Sequence, residues 1–331
     1  MRPTFPSPIL QAAKTNALLV TNLTNIRYLT GITTSYGFVL VRPRQITLYV
    51  DDRYIEMAQK KAYKNIAVRN VSLLAPALKR LKECGCEADK VTLSQMRNWK
   101  RKYKNTKFVQ TVGIIEKFRL QKGPEELRLF RKAQSITHVM MEKVPKALKE
   151  GITELELAEK LRSWALKLGA DGLSFDPIVA FGSNSSSPHH SPTSRALKVG
   201  HIVQIDVGAQ YRGYCADQSQ VFFTADPTKK QLKAFEAVLR AKDAAIACVQ
   251  VGATNHELDR IATDVLADYG MADAFTHALG HGVGLDIHEG SSISSHGKKT
   301  QLLPGEIITI EPGVYFPGSF GIRLEEEVIV R

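Results

Sequence analysis

Acidic side chains stand where apolar strands are expected. Asp206 ends the run Ile202-Val203-Gln204-Ile205, and Glu311 follows Ile307-Ile308-Thr309-Ile310. Asp217 lies in the strand-like segment 214–223, ahead of Val221-Phe222-Phe223. Glu325 falls within Ile322–Val330, where alternation sets Arg323, Glu325 and Glu327 on one face and Leu324, Glu326 and Val328 on the other. An unpaired buried carboxylate is costly, so each of these needs a cation, a cage of hydrogen-bond donors or a raised pKa. The turn Tyr211-Arg212-Gly213-Tyr214 allows a hairpin that brings Asp206 beside Asp217. Two carboxylates in contact repel unless a metal ion or a proton lies between them. Asp206, Asp217, Glu311 and Glu325 together make a cage of hard oxygen ligands suited to Mn²⁺ or Mg²⁺.

Histidine completes the chemistry. Three of the nine histidines fall in His277-Ala278-Leu279-Gly280-His281-Gly282-Val283-Gly284-Leu285-Asp286-Ile287-His288. The glycines there permit close approach of the backbone to a neighbour. A phosphate-binding loop would need a following Lys-Ser/Thr, which is missing. H-E-x-x-H and G-x-S-x-G are also missing, which excludes the common zinc-helix peptidase and the serine-hydrolase elbow. His189 and His190 follow Pro188 and the Ser-rich run Ser183–Ser187, which reads as a binding-site loop.

The elements that must hold these groups fall into two domains, expected at 1–118 and 119–331, as ~100–200 residues per domain would have it. Residues 17–50 read as strands, with Ala17–Val20, Phe38–Val41 and Ile46–Val50 the apolar or β-branched runs. Helical spacing recurs at Arg53–Lys61 and Ser72–Lys82, and strand and helix types then alternate to about Val112, the pattern of an α/β domain with a mixed sheet. A helix opens at Pro124 and runs to about Lys149, with Pro145 kinking or splitting it. Thr153 caps the next helix, and two more are expected at about 229–250 and 255–268. Strands at about 202–207, 214–223, 306–311 and 322–330 make the second domain α+β, with antiparallel pairs.

The 331 residues carry a formal charge of +12, which raises the question of nucleic acid. The excess is confined to residues 1–118, where 21 Lys and Arg face 7 Asp and Glu; the remainder nets −2. Six cations lie between Arg97 and Lys107, the pattern of a solvated helix face. The basicity is therefore no property of the candidate cage, and a nucleic-acid partner is not expected. Cys84, Cys86, Cys215 and Cys248 lack a zinc-site spacing and read as reduced thiols. With no leader-like N-terminus and no membrane-length apolar run, a cytoplasmic protein is expected.

The motifs together resemble the pita-bread metallopeptidases, the group of methionine aminopeptidase, aminopeptidase P and prolidase. The ligand order of that family, Asp, Asp, His, Glu and Glu, matches Asp206, Asp217, His281 in Leu-Gly-His-Gly-Val-Gly, Glu311 in Ile-Glu-Pro-Gly, and Glu325 in Arg-Leu-Glu-Glu. Asn22–Gly31, Gly37–Val41 and Asp51–Tyr54 look like the creatinase/prolidase N-terminal domain. That domain, with Pro188-His189-His190, points to the X-Pro branch. The resemblance implies an α/β N-terminal domain followed by an α+β pita-bread catalytic domain. It also implies two divalent ions per chain (Mn favoured, Co or Zn the alternatives), a homodimer, and peptide substrates with proline at the second position. Of the residues, Glu311 would serve as general base and His189 and His288 would contact substrate and steady the oxyanion. His277 and Tyr315 would line the proline pocket, and Arg323 would tune the ligand carboxylates. Where the family often has Thr-Arg, two residues after the second Asp, this chain has Ser219-Gln220; it also stops at Arg331, where relatives commonly continue. An enzyme restricted to X-Pro dipeptides, a metal-free enzyme on the same fold and a non-catalytic peptide binder are the competing readings.

Overall fold

The structure, a computed structural model, describes residues 6–331. Met1–Phe5, on which the expectation of no leader partly rested, lie outside them. The chain divides into two compact units, Met1–Arg119 and Leu120–Arg331.

The first unit is built on a mixed six-stranded sheet. Its strands are β1 (Leu18–Val20), β2 (Gly37–Arg42), β3 (Gln45–Val50), β4 (Ile66–Asn70), β5 (Glu83–Glu87) and β6 (Lys107–Thr111), in the order β4-β3-β2-β1-β5-β6. The β1–β2 and β2–β3 pairs are antiparallel, while β3–β4, β1–β5 and β5–β6 are parallel. The parallel pairs follow from helical crossovers such as Asp52–Lys61, which leads from β3 to β4. Residues 17–50 are not all extended. Leu23–Thr30 is a helix, capped by the Asn22 side chain and ended by Gly31 at φ +77°. Eight residues give too few turns for periodicity to stand out between two strands. Ser72–Lys82 shortens to a 3₁₀ turn, Val71–Leu73, and a helix, Leu74–Lys79.

The second unit contains β7 (Gly172–Leu173), β8 (Ile178–Phe181), β9 (Ile202–Asp206), β10 (Ala209–Tyr211), β11 (Tyr214–Cys215), β12 (Ser219–Phe223), β13 (Gly280–His281), β14 (Ser292–Ile293), β15 (Ile307–Ile310), β16 (Gly313–Phe316), β17 (Phe320–Arg323) and β18 (Glu326–Ile329). Among the described residues all its strand pairs are antiparallel: β11-β10-β7, β12-β9-β8, β13–β14, β15–β18 and β16–β17. Helices Lys229–Ala247 and Asn255–Asp268 bury Ala237, Val238, Leu258 and Leu266 in one core with Ile308, Ile310 and Ile322. Helices Pro124–Ala147 and Glu154–Lys167 pack Ile136, Met140, Leu157 and Leu161 against Val203, Ile205 and Val207 in a second core. Both faces of the strand framework are thus covered by apolar packing.

Two expected strands are broken. Segment 214–223 pauses at Ala216–Gln218, because the chain leaves its pairing with β10 and joins β9. Segment 322–330 pauses at Leu324 and Glu325, because β17 pairs with β16 whereas β18 pairs with β15. Asp217 and Glu325 occupy these gaps. Pro145 does not split its helix, which runs unbroken from Pro124 to Ala147. Two residues before the helix end, its missing N–H removes one hydrogen bond, to the carbonyl four residues back.

Candidate metal centre

Five side chains converge from strand ends. Asp206 is the last residue of β9, Glu311 follows β15, and His281 closes the short β13. The β9–β12 register sets Ser219 opposite Asp206, and Val207 and Gln218 exchange backbone hydrogen bonds, which brings Asp217 alongside. The β10–β11 hairpin makes this return possible. Its turn residues Arg212 and Gly213 lie at φ +47° and +81°, the left-handed geometry of a two-residue turn. Gly280 is needed for a different reason. A Cβ there would stand 2.0 Å from the Thr309 carbonyl oxygen, so only glycine lets β13 close on β15.

Ligand atoms of Asp217, His281 and Glu325 lie within 4.8 Å of one another. His281 donates its Nδ1–H to the Gly282 carbonyl (3.1 Å). Its Nε2 is left facing Asp217 Oδ2 at 3.5 Å and Glu311 Oε1 at 3.4 Å. That tautomer presents Nε2 as a ligand. Asp206 borders the cluster and accepts from Arg323 Nη2 at 2.6 Å through Oδ2. Asp206 Oδ1, Asp217 Oδ1 and both carboxylate oxygens of Glu325 are buried without a hydrogen-bond partner.

The electrostatics are strained accordingly. Burial first, and then the charges of Asp206, Glu311 and Glu327, push the Asp217 carboxyl well above the ordinary range. Glu325 is pushed well above it by burial and by Asp217, Glu311 and Asp206; Glu311 is raised by burial, against the pull of His281 and Arg323. Four carboxylates face one guanidinium. Oxygen atoms with no donors, a histidine nitrogen turned toward them and a deficit of positive charge fit divalent cations and fit no neutral group.

Arg323 is fully engaged around this centre. Besides Asp206, it donates Nε–H to Ser219 Oγ (2.9 Å) and Nη1–H to Tyr315 Oη (2.7 Å) and the Pro188 carbonyl (3.2 Å). β12 sets the Ser219 hydroxyl beside the same guanidinium that holds Asp206. The partly buried Gln220 lends its carbonyl to Gln204 Nε2 at 3.4 Å. Tyr315 passes the network on by donating to His277 Nε2 (3.0 Å), while His277 Nδ1–H bonds the Ala278 carbonyl (2.8 Å). Burial lowers the His277 pKa to about 4, so this ring is neutral, as the two bonds require.

The centre opens on a cavity of ≈ 500 Å³, lined in part by Phe175, Pro177, Ile178, His189, His190 and His288. His189 and His288 are exposed. The His288 ring stands edge-on to that of His281, 4.3 Å between centroids. All ten residues singled out from the sequence lie in or beside this region. Three supporting residues were missed. Gln204 Oε1 accepts from the Arg323 backbone N–H (2.8 Å), and Thr309 Oγ1 meets Glu311 Oε1 at 3.2 Å. Both are polar residues inside runs of Ile and Val, the signal that exposed the acids. Glu154, discussed below, gave no such signal.

Residues 128–331 match metallopeptidase family M24, and residues 8–121 match the creatinase/prolidase N-terminal domain. The chain belongs to family M24. It is 33% identical to the putative Xaa-Pro aminopeptidase of Mycoplasma pneumoniae, over 98% of this chain and 92% of that protein. It is 32% identical to the Xaa-Pro dipeptidase of Pyrococcus horikoshii, over 95% of this chain and 90% of that one. The solved prolidase of Pyrococcus furiosus superposes with a TM-score of 0.90 at 31% identity, covering 97% of this chain and 95% of its own. This M24 chain is accordingly a metal-dependent peptidase with a creatinase-type N-terminal domain and a pita-bread catalytic domain. The expected fold class stands. Its four cysteines are free, three of them buried, and among the described residues no helix is long and apolar enough to cross a membrane.

Proposed function

We propose that this chain hydrolyses the peptide bond between an N-terminal residue and a following proline. The observation that carries the reading is the set of buried, partnerless carboxylate oxygens around His281 Nε2 beside a cavity walled by imidazoles and apolar rings. In this reading Asp206, Asp217, His281, Glu311 and Glu325 hold two divalent ions, Mn²⁺ by the oxygen-rich donor set. Such ions supply Lewis acidity and lower the pKa of water.

The chain's own residues do the rest. Glu311, with one oxygen beside Thr309 Oγ1, takes a proton from the attacking water and passes it toward the leaving nitrogen. His189 and His288 donate to the scissile carbonyl oxygen as it becomes an oxyanion. His277 and Tyr315 form a wall held rigid by Arg323, against which the pyrrolidine ring packs. The tertiary amide nitrogen of an X-Pro bond carries no hydrogen to donate, so ring shape and carbonyl contacts must carry recognition. Arg323 keeps Asp206 oriented by a buried charged hydrogen bond. The reading carries with it a homodimer in the cytoplasm. The relatives named dipeptidase and prolidase favour a second reading, in which only Xaa-Pro dipeptides are cut.

The test is hydrolysis of Ala-Pro, Ala-Pro-Ala and Ala-Ala by the Mn²⁺-loaded chain, alongside its metal content. Cleavage after the first residue of the proline peptides alone is expected, with about two ions per chain. Cleavage of Ala-Pro but not Ala-Pro-Ala selects the dipeptidase. A fully loaded protein that leaves every Xaa-Pro peptide intact overturns the proposal.

A further inference from the structure

Glu154 begins the helix Glu154–Lys167 and is wholly buried. It accepts from the Phe181 N–H (2.8 Å) and Asn184 Nδ2 (2.8 Å) through Oε1, and from the Thr193 N–H (2.9 Å), Thr193 Oγ1 (2.6 Å) and His190 Nε2 (2.9 Å) through Oε2. A carboxylate with so many donors stays ionised, and its place in the first turn of a helix favours the same state. His190 therefore donates Nε2–H to Glu154. Its other ring nitrogen, Nδ1, has no hydrogen-bond partner among the described residues, and the residue lines the cavity.

The remaining basic groups of that cavity are occupied or unsupported. Arg323 serves four acceptors. His277 is neutral and bonded at both nitrogens, and His281 faces the ligand carboxylates. His288 packs its ring edge-on to His281. His189 has no carboxylate behind it. Asp176, the acid on the same wall, pairs with Arg162 at 3.3 Å. Among these groups His190 alone holds a buried carboxylate on one nitrogen and meets no described partner on the other, so an N–H at that second nitrogen would be available to a ligand.

We infer that His190, oriented by Glu154, is a specificity residue that receives the α-carboxylate of a C-terminal proline. The inference deepens the dipeptide reading above and rests on it for the identity of the anion. Nδ1–H would donate to the carboxylate while Nε2–H remains on Glu154, so one ring would bridge the substrate anion and the buried acid.

The experiment compares binding of L-proline and L-prolinamide to the Mn²⁺-loaded wild-type chain and to His190→Gln, by calorimetry. The Gln amide keeps a donor for Glu154 and places no second donor in the cavity. Wild type is expected to prefer proline over prolinamide by about tenfold, the order of a charge-assisted hydrogen bond. In His190→Gln that preference collapses, while Mn²⁺ affinity stays within about twofold. With Ala-Pro as substrate, KM rises about tenfold and kcat holds. Glu154→Gln, which removes the charge behind the ring, reduces the proline preference in the same direction. An undiminished preference in His190→Gln, or none in wild type, overturns the inference. A collapse of the preference in a protein that cuts no Xaa-Pro peptide would sink the proposed function and leave the anion site standing.

Discussion

Glu154 and Glu325 are both enclosed carboxylates in the same unit, and their surroundings are opposite. Glu154 is met by donors from a 3₁₀ turn, a strand end and two loop residues, and its pKa falls below the ordinary value even though burial, the largest single influence, acts to raise it. Glu325 has no donor on either oxygen, and its pKa rises. Burial alone therefore does not distinguish a functional acid from a structural one. The donors do at these two positions: Glu154 has its hydrogen bonds complete, whereas both oxygens of Glu325 lack a donor among the described residues.

That contrast can be broken most directly at Asp217. Asp217→Asn should weaken Mn²⁺ binding by at least about 100-fold, since first-layer ligands exceed the 10–100-fold cost typical of outer partners. It should also raise the melting temperature of the metal-free chain, by removing one of several like charges. A metal-free variant that melts lower than wild type would show that Asp217 is satisfied after all. Glu154→Ala should do the reverse. It leaves buried donors from Phe181, Asn184 and Thr193 without an acceptor, at a cost of about 3–5 kcal/mol, and it should lower the melting temperature with and without metal.

The pH response sharpens the same point. Because the folded pKa of Glu154 lies below its unfolded value, its contribution is present above the unfolded pKa of about 4.5 and disappears as pH falls through the folded value. The stability gap between wild type and Glu154→Gln, measured by urea titration, should narrow as pH drops below that point. A constant gap from neutral pH to pH 3 would contradict it. Arg323→Gln should give a smaller effect, about a tenfold loss of Mn²⁺ affinity, because Asp206 loses its guanidinium partner but keeps its place on β9. Smallest of all, Arg97→Gln with Arg101→Gln should leave metal affinity within about twofold, as both are exposed cations in the other unit.

Acids in apolar runs were visible because hydrophobic patterning makes each interruption conspicuous. Asp206, Asp217, Glu311 and Glu325 were found in that way, and the family motif added His281. Glu154 was not. It follows the helix cap Thr153 in an ordinary acidic first turn, where Glu is favoured in solvent as much as in a core. The buried helix Leu23–Thr30 escaped for want of length, and the strand interruptions at Ala216–Gln218 and Leu324-Glu325 escaped because both segments keep strand-like composition throughout. Nothing local marks the residue at which a strand changes partner.

Residue type and order alone were enough to specify the family, the two kinds of architecture and the confinement of positive charge to the first third. Those properties depend on side-chain chemistry and on periodicity, which are local. Partner choice was decided by tertiary structure: that Arg323 binds Asp206 across 117 positions, that Ser219 bonds the same guanidinium, and that Glu154 backs His190 from 36 positions away. Hydrogen bonds have a reach of about 3 Å, so which donor meets which acid is settled only when the strands have registered and the helices have closed over them.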